Sequence, residues 1–332
     1  MVTAFENTKK ILKNVKPSMA YDGSDFSMWQ KNAREKLSEL LGMDKFTKVP
    51  AELEIEYDTK IENAREIRFT YKSEDGYRVP CHLFIPFGVE KPPVIITLQG
   101  HSKGMHVSMS RTRYEGEKDT SASGDRDFCV RATKEGFASI AMEQRNFGEC
   151  GGNNNGPDCQ PSTMAALLMG RTTLGERVWD IMRLIDVLEG EFSDIVDINN
   201  ICCMGNSGGG TATAYAAALE DRIKLAMPSC AMCTYRDSIG AMWHCTCNFV
   251  PHIAEYFDMG DLLAMAYPKY YVQVNGEKDP IFPIEGAKEV FEKGKAAYEK
   301  MGEGGRCVHV IGDGEHRFYA DPAWPWVHKF IK

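Results

Sequence analysis

Gly205-Asn206-Ser207-Gly208-Gly209 sets a serine between glycines at the G-x-S-x-G spacing of a nucleophile elbow. The flanks suit that chemistry: residues 201–204 form a short apolar run expected to be a buried strand, and residues 211–219 an alanine-rich stretch expected to be a helix. A strand-turn-helix of this kind holds the serine on a tight turn, and its glycines let neighbouring backbone come close. The N–H of Gly208, at the helix start, can then face a developing oxyanion. A serine hydroxyl is a weak nucleophile at neutral pH and needs a base oriented by an acid. Both are sought downstream, acid first, in loops just past strands. The apolar run 270–274 opens into Asn275-Gly276-Glu277-Lys278-Asp279-Pro280, so Asp279 is the candidate acid and Glu277 its rival. The run 308–311 ends in Gly312-Asp313-Gly314-Glu315-His316, so His316 is the candidate base. Of the other histidines, His309 lies within a strand pattern and reads as structural, while His244, His252 and His328 lie outside the required order or loop. His101 and His106 follow the run 94–98. There the backbone N–H of His101 is the candidate second oxyanion donor, with Ser102 the neighbouring alternative, and the imidazole is a lining group.

These residues need a scaffold that brings loop ends together. Apolar runs at 94–98, 137–142, 201–204, 223–227, 270–274 and 308–311 alternate with helical patterns, as parallel strands covered on both faces require. Ahead of them, 53–57, 67–71 and 79–85 have β character, with Asp75-Gly76 as a turn, and predict an antiparallel start. Leu174, Val178, Met182, Ile185 and Leu188 recur at helical spacing, and residues 287–301 predict a further helix. The expected fold is α/β, a mostly parallel central sheet flanked by helices, over residues 51–332 as one catalytic domain. Residues 1–50, where Trp29, Ala33, Leu37, Leu40 and Leu41 recur, are expected to form an N-terminal helical extension. Two lid-like insertions, about 143–170 and about 230–260, interrupt the alternation and are expected to shape a site.

Composition narrows the function classes. With 332 residues, 43% hydrophobic and 26% charged, the chain can bury a full core, which excludes a disordered or fibrous protein. Basic residues number 39 against 47 acidic, a net charge of −8, and no long basic run is present; this argues against a nucleic-acid partner. No apolar run approaches the roughly 18 to 20 residues of a membrane span. The opening MVTAFENTKKILKNVKPS has basic residues without an apolar stretch behind them, so a cytoplasmic location with reduced thiols is expected. Eleven cysteines, an odd number, cannot all pair within the chain. Cys230, Cys233, Cys245 and Cys247, with His244 between the pairs, have spacing that invites zinc. Against this, Cys202-Cys203 lies in a strand pattern where cysteine acts as a small hydrophobe. Most of the others are expected to do the same, with no metal and no cofactor.

From about residue 72 to 332 the chain resembles α/β-hydrolases of the acetyl xylan esterase and dienelactone hydrolase-like type. The resemblance is carried by Gln99-Gly100-His101, Glu143-Gln144-Arg145-Asn146-Phe147-Gly148-Glu149, and the segments 205–210, 276–279 and 314–318. The cephalosporin-C deacetylase and acetyl xylan esterase group has glutamine after its nucleophile, His-Glu at its end and an Arg-Gly-Gln signature. This chain departs from that group with Gly208, His316-Arg317 and Arg145-Asn146-Phe147. The resemblance implies a cofactor-free serine esterase that removes short acyl groups, commonly acetyl, from carbohydrate hydroxyls, with a small-molecule or oligosaccharide ester as partner. Arg145 would either tie the site loops together or contact substrate. In the second insertion Tyr235, Met242, Trp243 and Phe249 are candidate walls of a short acyl site, each with core packing as its alternative. Hydrolysis of another bond (lactone, methyl ester or peptide), a non-catalytic protein keeping the fold, and assembly as a homo-oligomer stay open.

Overall fold

The computed structural model describes residues 1–118 and 123–331, with all nine expected strands in one sheet. They are β1 (Glu54–Lys60), β2 (Ala64–Glu74), β3 (Tyr77–Pro86), β4 (Pro93–Leu98), β5 (Ala138–Met142), β6 (Asp197–Asn206), β7 (Ile223–Ser229), β8 (Tyr270–Gly276) and β9 (Cys307–Gly312). Their order is β1-β2-β3-β5-β4-β6-β7-β8-β9. The pairs among β1, β2, β3 and β5 along the first edge are antiparallel, and those from β5 through β9 are parallel. Successive side chains leave opposite faces of a strand. In β4, Val94, Ile96 and Leu98 enter one hydrophobic cluster and Ile95 another, so a strand buried on both faces must be continuously apolar. Cys202 and Cys203 divide between the same two clusters, as small buried hydrophobes.

Ten helices accompany the sheet among the described residues: α1 (Ala4–Asn14), α2 (Phe26–Leu41), α3 (Phe128–Lys134), α4 (Gln160–Leu168), α5 (Thr173–Val187), α6 (Gly208–Leu219), α7 (Ile253–Tyr256), α8 (Met259–Met265), α9 (Ile284–Lys300) and α10 (Ala320–Phe330). Side chains from α2, α5, α6, α8 and α9 fill the larger cluster, while α3 and α10 cover the opposite face through residues such as Phe128 and Trp324. Helix α2 begins where the Asp25 carboxylate accepts from the Met28 N–H at 2.8 Å and ends at Gly42, φ 73°. It buries Phe26, Trp29, Ala33, Leu37 and Leu41 in the larger cluster, whereas α1 buries none of its residues. No helix among the described residues is long and apolar enough to cross a membrane.

Strand order positions the site. Because β4 and β6 are neighbours, the loop after β4 and the turn after β6 meet at one end of the sheet. The loops after β8 and β9 reach the same end, the carboxyl end of the parallel strands, where open α/β sheets bind ligands.

Candidate active site

Ser207 sits between β6 and α6 with φ 54° and ψ −120°, a backbone conformation that costs a side-chain-bearing residue about 1–3 kcal/mol. Its N–H donates to the Ser229 carbonyl at 2.8 Å, and its own carbonyl accepts from the Thr211 N–H at 2.8 Å, so strand and helix both hold the turn. Close approach requires the flanking glycines. A Cβ on Gly205 would lie 2.5 Å from the Gly209 carbonyl oxygen, and one on Gly209 2.2 Å from that of Leu98.

Asp279 and His316 face each other from the loops after β8 and β9, with His316 Nδ1 2.8 Å from Asp279 Oδ2. Burial alone would raise the Asp279 carboxyl, but its bond to His316, the His316 charge and the N–H groups of Ile281 and Phe282 hold it below the usual carboxylate range. Oδ1 accepts those two N–H groups at 2.8 and 3.1 Å. Glu277 is exposed, whereas Asp279 is buried against the ring. The His316 ring also stacks on Phe282 at 5.8 Å between centroids.

On the other side of the elbow stands the loop after β4. A Cβ on Gly100 would lie 2.9 Å from Ser207 Cβ, and one on Gly208 2.7 Å from His101 Cε1, so His101 and Gly208 lie side by side next to the serine. Two buried residues to which the sequence attached no role clasp this loop. Gln144 Nε2 donates to the Gln99 carbonyl at 2.5 Å. Glu143 accepts the N–H groups of Met105 and Glu149 at 3.0 and 3.1 Å, while burial pushes its carboxyl up to about 7 against those two bonds. Their advance signals were a run of polar residues directly after an apolar strand and a place in the 143–149 segment that carries the resemblance.

Ser207 and His316 open on a cavity of about 960 Å³ whose lining mixes polar and apolar surface, with Gln99, Ser102, Asp158, Asn248 and Arg317 among its polar side chains. Trp243 borders it at 87% exposure. The other three candidate acyl-site walls are elsewhere. Tyr235 is buried in the larger core cluster with its hydroxyl 2.6 Å from that of Tyr215, which satisfies the phenol internally. Met242 and Phe249 do not line the cavity.

Arg145 does not line it either. Its Nε and Nη2 grip Asp180 at 2.8 Å each, and Nη2 also reaches Glu74 at 2.6 Å, with the guanidinium 4.2 Å over the Tyr77 ring. The guanidinium thus ties β2 and α5 to the loop after β5. Arg145→Met is expected to lower unfolding free energy by about 3–5 kcal/mol in a urea titration, because Asp180 would stay buried without its cation. A loss below about 1 kcal/mol would show the network to be dispensable.

The remaining histidines divide similarly. His309 bonds Asn275 Oδ1 at 3.0 Å, and burial pushes it down to about 4. Burial, reinforced by the charges of His101 and His316, pushes His244 down to about 4 as well. The four cysteines considered for zinc do not converge. Cys233 Sγ bonds the Pro283 carbonyl, and Cys230 lies beside Asp279 and His316. Cys245 and Cys247 meet His101 and Cys159 instead.

No family model matches the chain. A Bacillus subtilis (strain 168) protein, YtaP, provisionally named a hydrolase, is 23% identical over 244 residues, 73% of this chain and 78% of its own. Among solved structures, a Bacteroides fragilis protein provisionally named an acetyl xylan esterase superposes with a TM-score of 0.78 at 15% identity, covering 97% of this chain and 84% of its own. A glucuronoyl esterase from Solibacter usitatus gives 0.68 at 15% identity, covering 96% and 98%. At such identities the likeness lies in the path of the backbone, and by that path, with its strand order and serine turn, the chain is an α/β-hydrolase in fold.

Proposed function

We propose that the protein is a serine esterase that removes short acyl groups, acetyl above all, from carbohydrate hydroxyls. One observation carries this reading: His316, hydrogen-bonded to the buried Asp279, opens on the same cavity as the strained Ser207. In the proposed reaction His316 takes the Ser207 proton through Nε2 as the hydroxyl oxygen attacks the ester carbonyl. Asp279 holds the ring through Nδ1 and stabilises its positive form. The tetrahedral oxyanion is met by the backbone N–H groups of His101 and Gly208, each worth about 3–4 kcal/mol in the transition state. Collapse expels the alcohol with a proton from His316, and water repeats the sequence on the acyl-enzyme. Hydrogen-bonding side chains in the lining and an exposed Trp243, on which the apolar face of a sugar ring can rest, suit a carbohydrate. The similarity to acetyl xylan esterases supports acetyl as the acyl group.

With only Trp243 of the four expected walls at the cavity, short-chain preference rests on the scarcity of large aliphatic side chains, of which the described lining has only Ile281, rather than on a steric block. A long alkyl chain would find few aliphatic side chains to pack against, and each methylene is worth only about 1–3 kcal/mol even in a good pocket. Acetyl esters are expected to exceed butyryl esters in kcat/KM by at least about tenfold, a difference of about 1.4 kcal/mol, with octanoyl esters nearly inert. Equal turnover of octanoyl and acetyl esters would remove the deacetylase reading. A second reading, hydrolysis of an ester on a sugar acid, is supported by the likeness to the glucuronoyl esterase. Methyl glucuronate in the same substrate panel separates the two, since a higher kcat/KM on it than on acetylated xylo-oligosaccharides selects the sugar-acid ester.

A further inference from the structure

We propose that His101, Cys159, Cys245 and Cys247 form a Cys3His site for a soft divalent cation, zinc by its chemistry, which fastens the three loops around the catalytic cavity. The site borders the cavity without depending on which bond is cleaved there, and it revises the expectation of a metal-free chain.

The donor atoms are already assembled. His101 Nε2 lies 3.1 Å from Cys247 Sγ, Cys247 Sγ lies 3.4 Å from Cys245 Sγ, and all four donor atoms fall within 4.8 Å of one another. A tetrahedral zinc centre with bonds of about 2.3 Å to sulfur and 2.0–2.1 Å to nitrogen has edges of about 3.5–3.8 Å, so shifts of about 1 Å or less complete it. Three thiolates and an imidazole are a donor set for zinc, not for the oxygen-seeking magnesium or calcium.

Charge supplies an independent argument. Arg177 on α5 is 0% exposed, yet among the described residues no carboxylate oxygen lies within 4.0 Å of its guanidinium. Its Nη1 lies 3.5 Å from Cys247 Sγ and its Nη2 3.7 Å from Cys159 Sγ, with the Phe147 ring 4.6 Å beneath. Its remaining bond, at 3.1 Å, is to the neutral Arg145 carbonyl. An isolated buried cation is costly. If the three thiols lose their protons to solvent and one divalent ion binds, the centre carries a single negative charge, which Arg177 cancels. A disulfide would consume two of the thiols and leave the guanidinium without that counter-charge.

Position indicates the role. Cys159 comes from the first insertion, Cys245 and Cys247 from the second, and His101 from the loop after β4 beside Gly208. With all four coordination positions filled by protein, the ion would be structural. It would hold the His101 ring and thereby the peptide proposed to meet the oxyanion, so His101 and the cysteines act here as positioning residues.

The test is elemental analysis of the full chain, purified without chelator or a metal-binding tag. About one zinc per chain is expected, lost in Cys159→Ser and Cys247→Ser and kept in Cys230→Ser and Cys233→Ser. Exchange with Co2+ should give the visible absorption of tetrahedral thiolate-bound cobalt, a readout independent of any substrate and obtainable on the parent protein even if the variants misfold. The proposal is overturned by a metal-free, reduced and folded protein that develops no such absorption on Co2+ titration. An intact mass 2 Da low, marking a disulfide among these cysteines in the freshly purified chain, would overturn it equally.

Discussion

Ser207→Ala is expected to lower kcat by about 10⁴- to 10⁶-fold, the usual scale for loss of a triad nucleophile, with the fold preserved. The change removes one hydroxyl and keeps a Cβ, so the strain at φ 54° and the backbone bonds to Ser229 and Thr211 persist. The thermal midpoint should therefore move by no more than about 3 °C, equivalent to roughly 1 kcal/mol. A fluorophosphonate probe should label the parent at Ser207 and leave the variant unlabelled. Residual turnover within tenfold of the parent would remove Ser207 from the reaction.

The second large effect is expected at the acid. Asp279→Asn should cost about 10⁴-fold in kcat, and Glu277→Gln less than about threefold. The two N–H donors of Ile281 and Phe282 already hold Oδ1. An asparagine would keep its carbonyl there and turn its NH₂ toward His316 Nδ1, forcing the ring proton onto Nε2, the atom that must receive the serine proton. The exposed Glu277 has no such hold on the ring. Steady-state kinetics of the two variants decide the matter, and equal losses would dismiss Asp279 as the acid.

Wherever local chemistry encodes an element, the sequence already showed it. The inner strands of the parallel sheet announce themselves by apolar runs because both their faces are buried, while the edge strand β9 leaves Ile311 exposed, and the loops after β8 and β9 carry an acid and a histidine in chain order. Arg145 was ambiguous for a physical reason. Its partner Asp180 lies 35 residues away on α5 and Glu74 lies 71 residues away on β2, and no local spacing relates them. Aromatic composition in the second insertion likewise said nothing of direction: Tyr235 turns inward to Tyr215 while Trp243 turns out to the cavity.

By itself, then, the sequence determined the α/β sheet, the elbow at Ser207 and the candidates Asp279 and His316, because hydrophobic period and turn chemistry act over a few residues. Only the tertiary structure decided which loops become neighbours. Reading zinc from nearby cysteines paired Cys230 and Cys233 with Cys245 and Cys247, yet the partner that approaches Cys247 is His101, 146 residues away. The order of strands in the sheet made that meeting. Placing β4 beside β6 brings the loop carrying His101 against the serine turn, and the two insertions close over the same end, so their cysteines gather around Arg177, a buried positive charge.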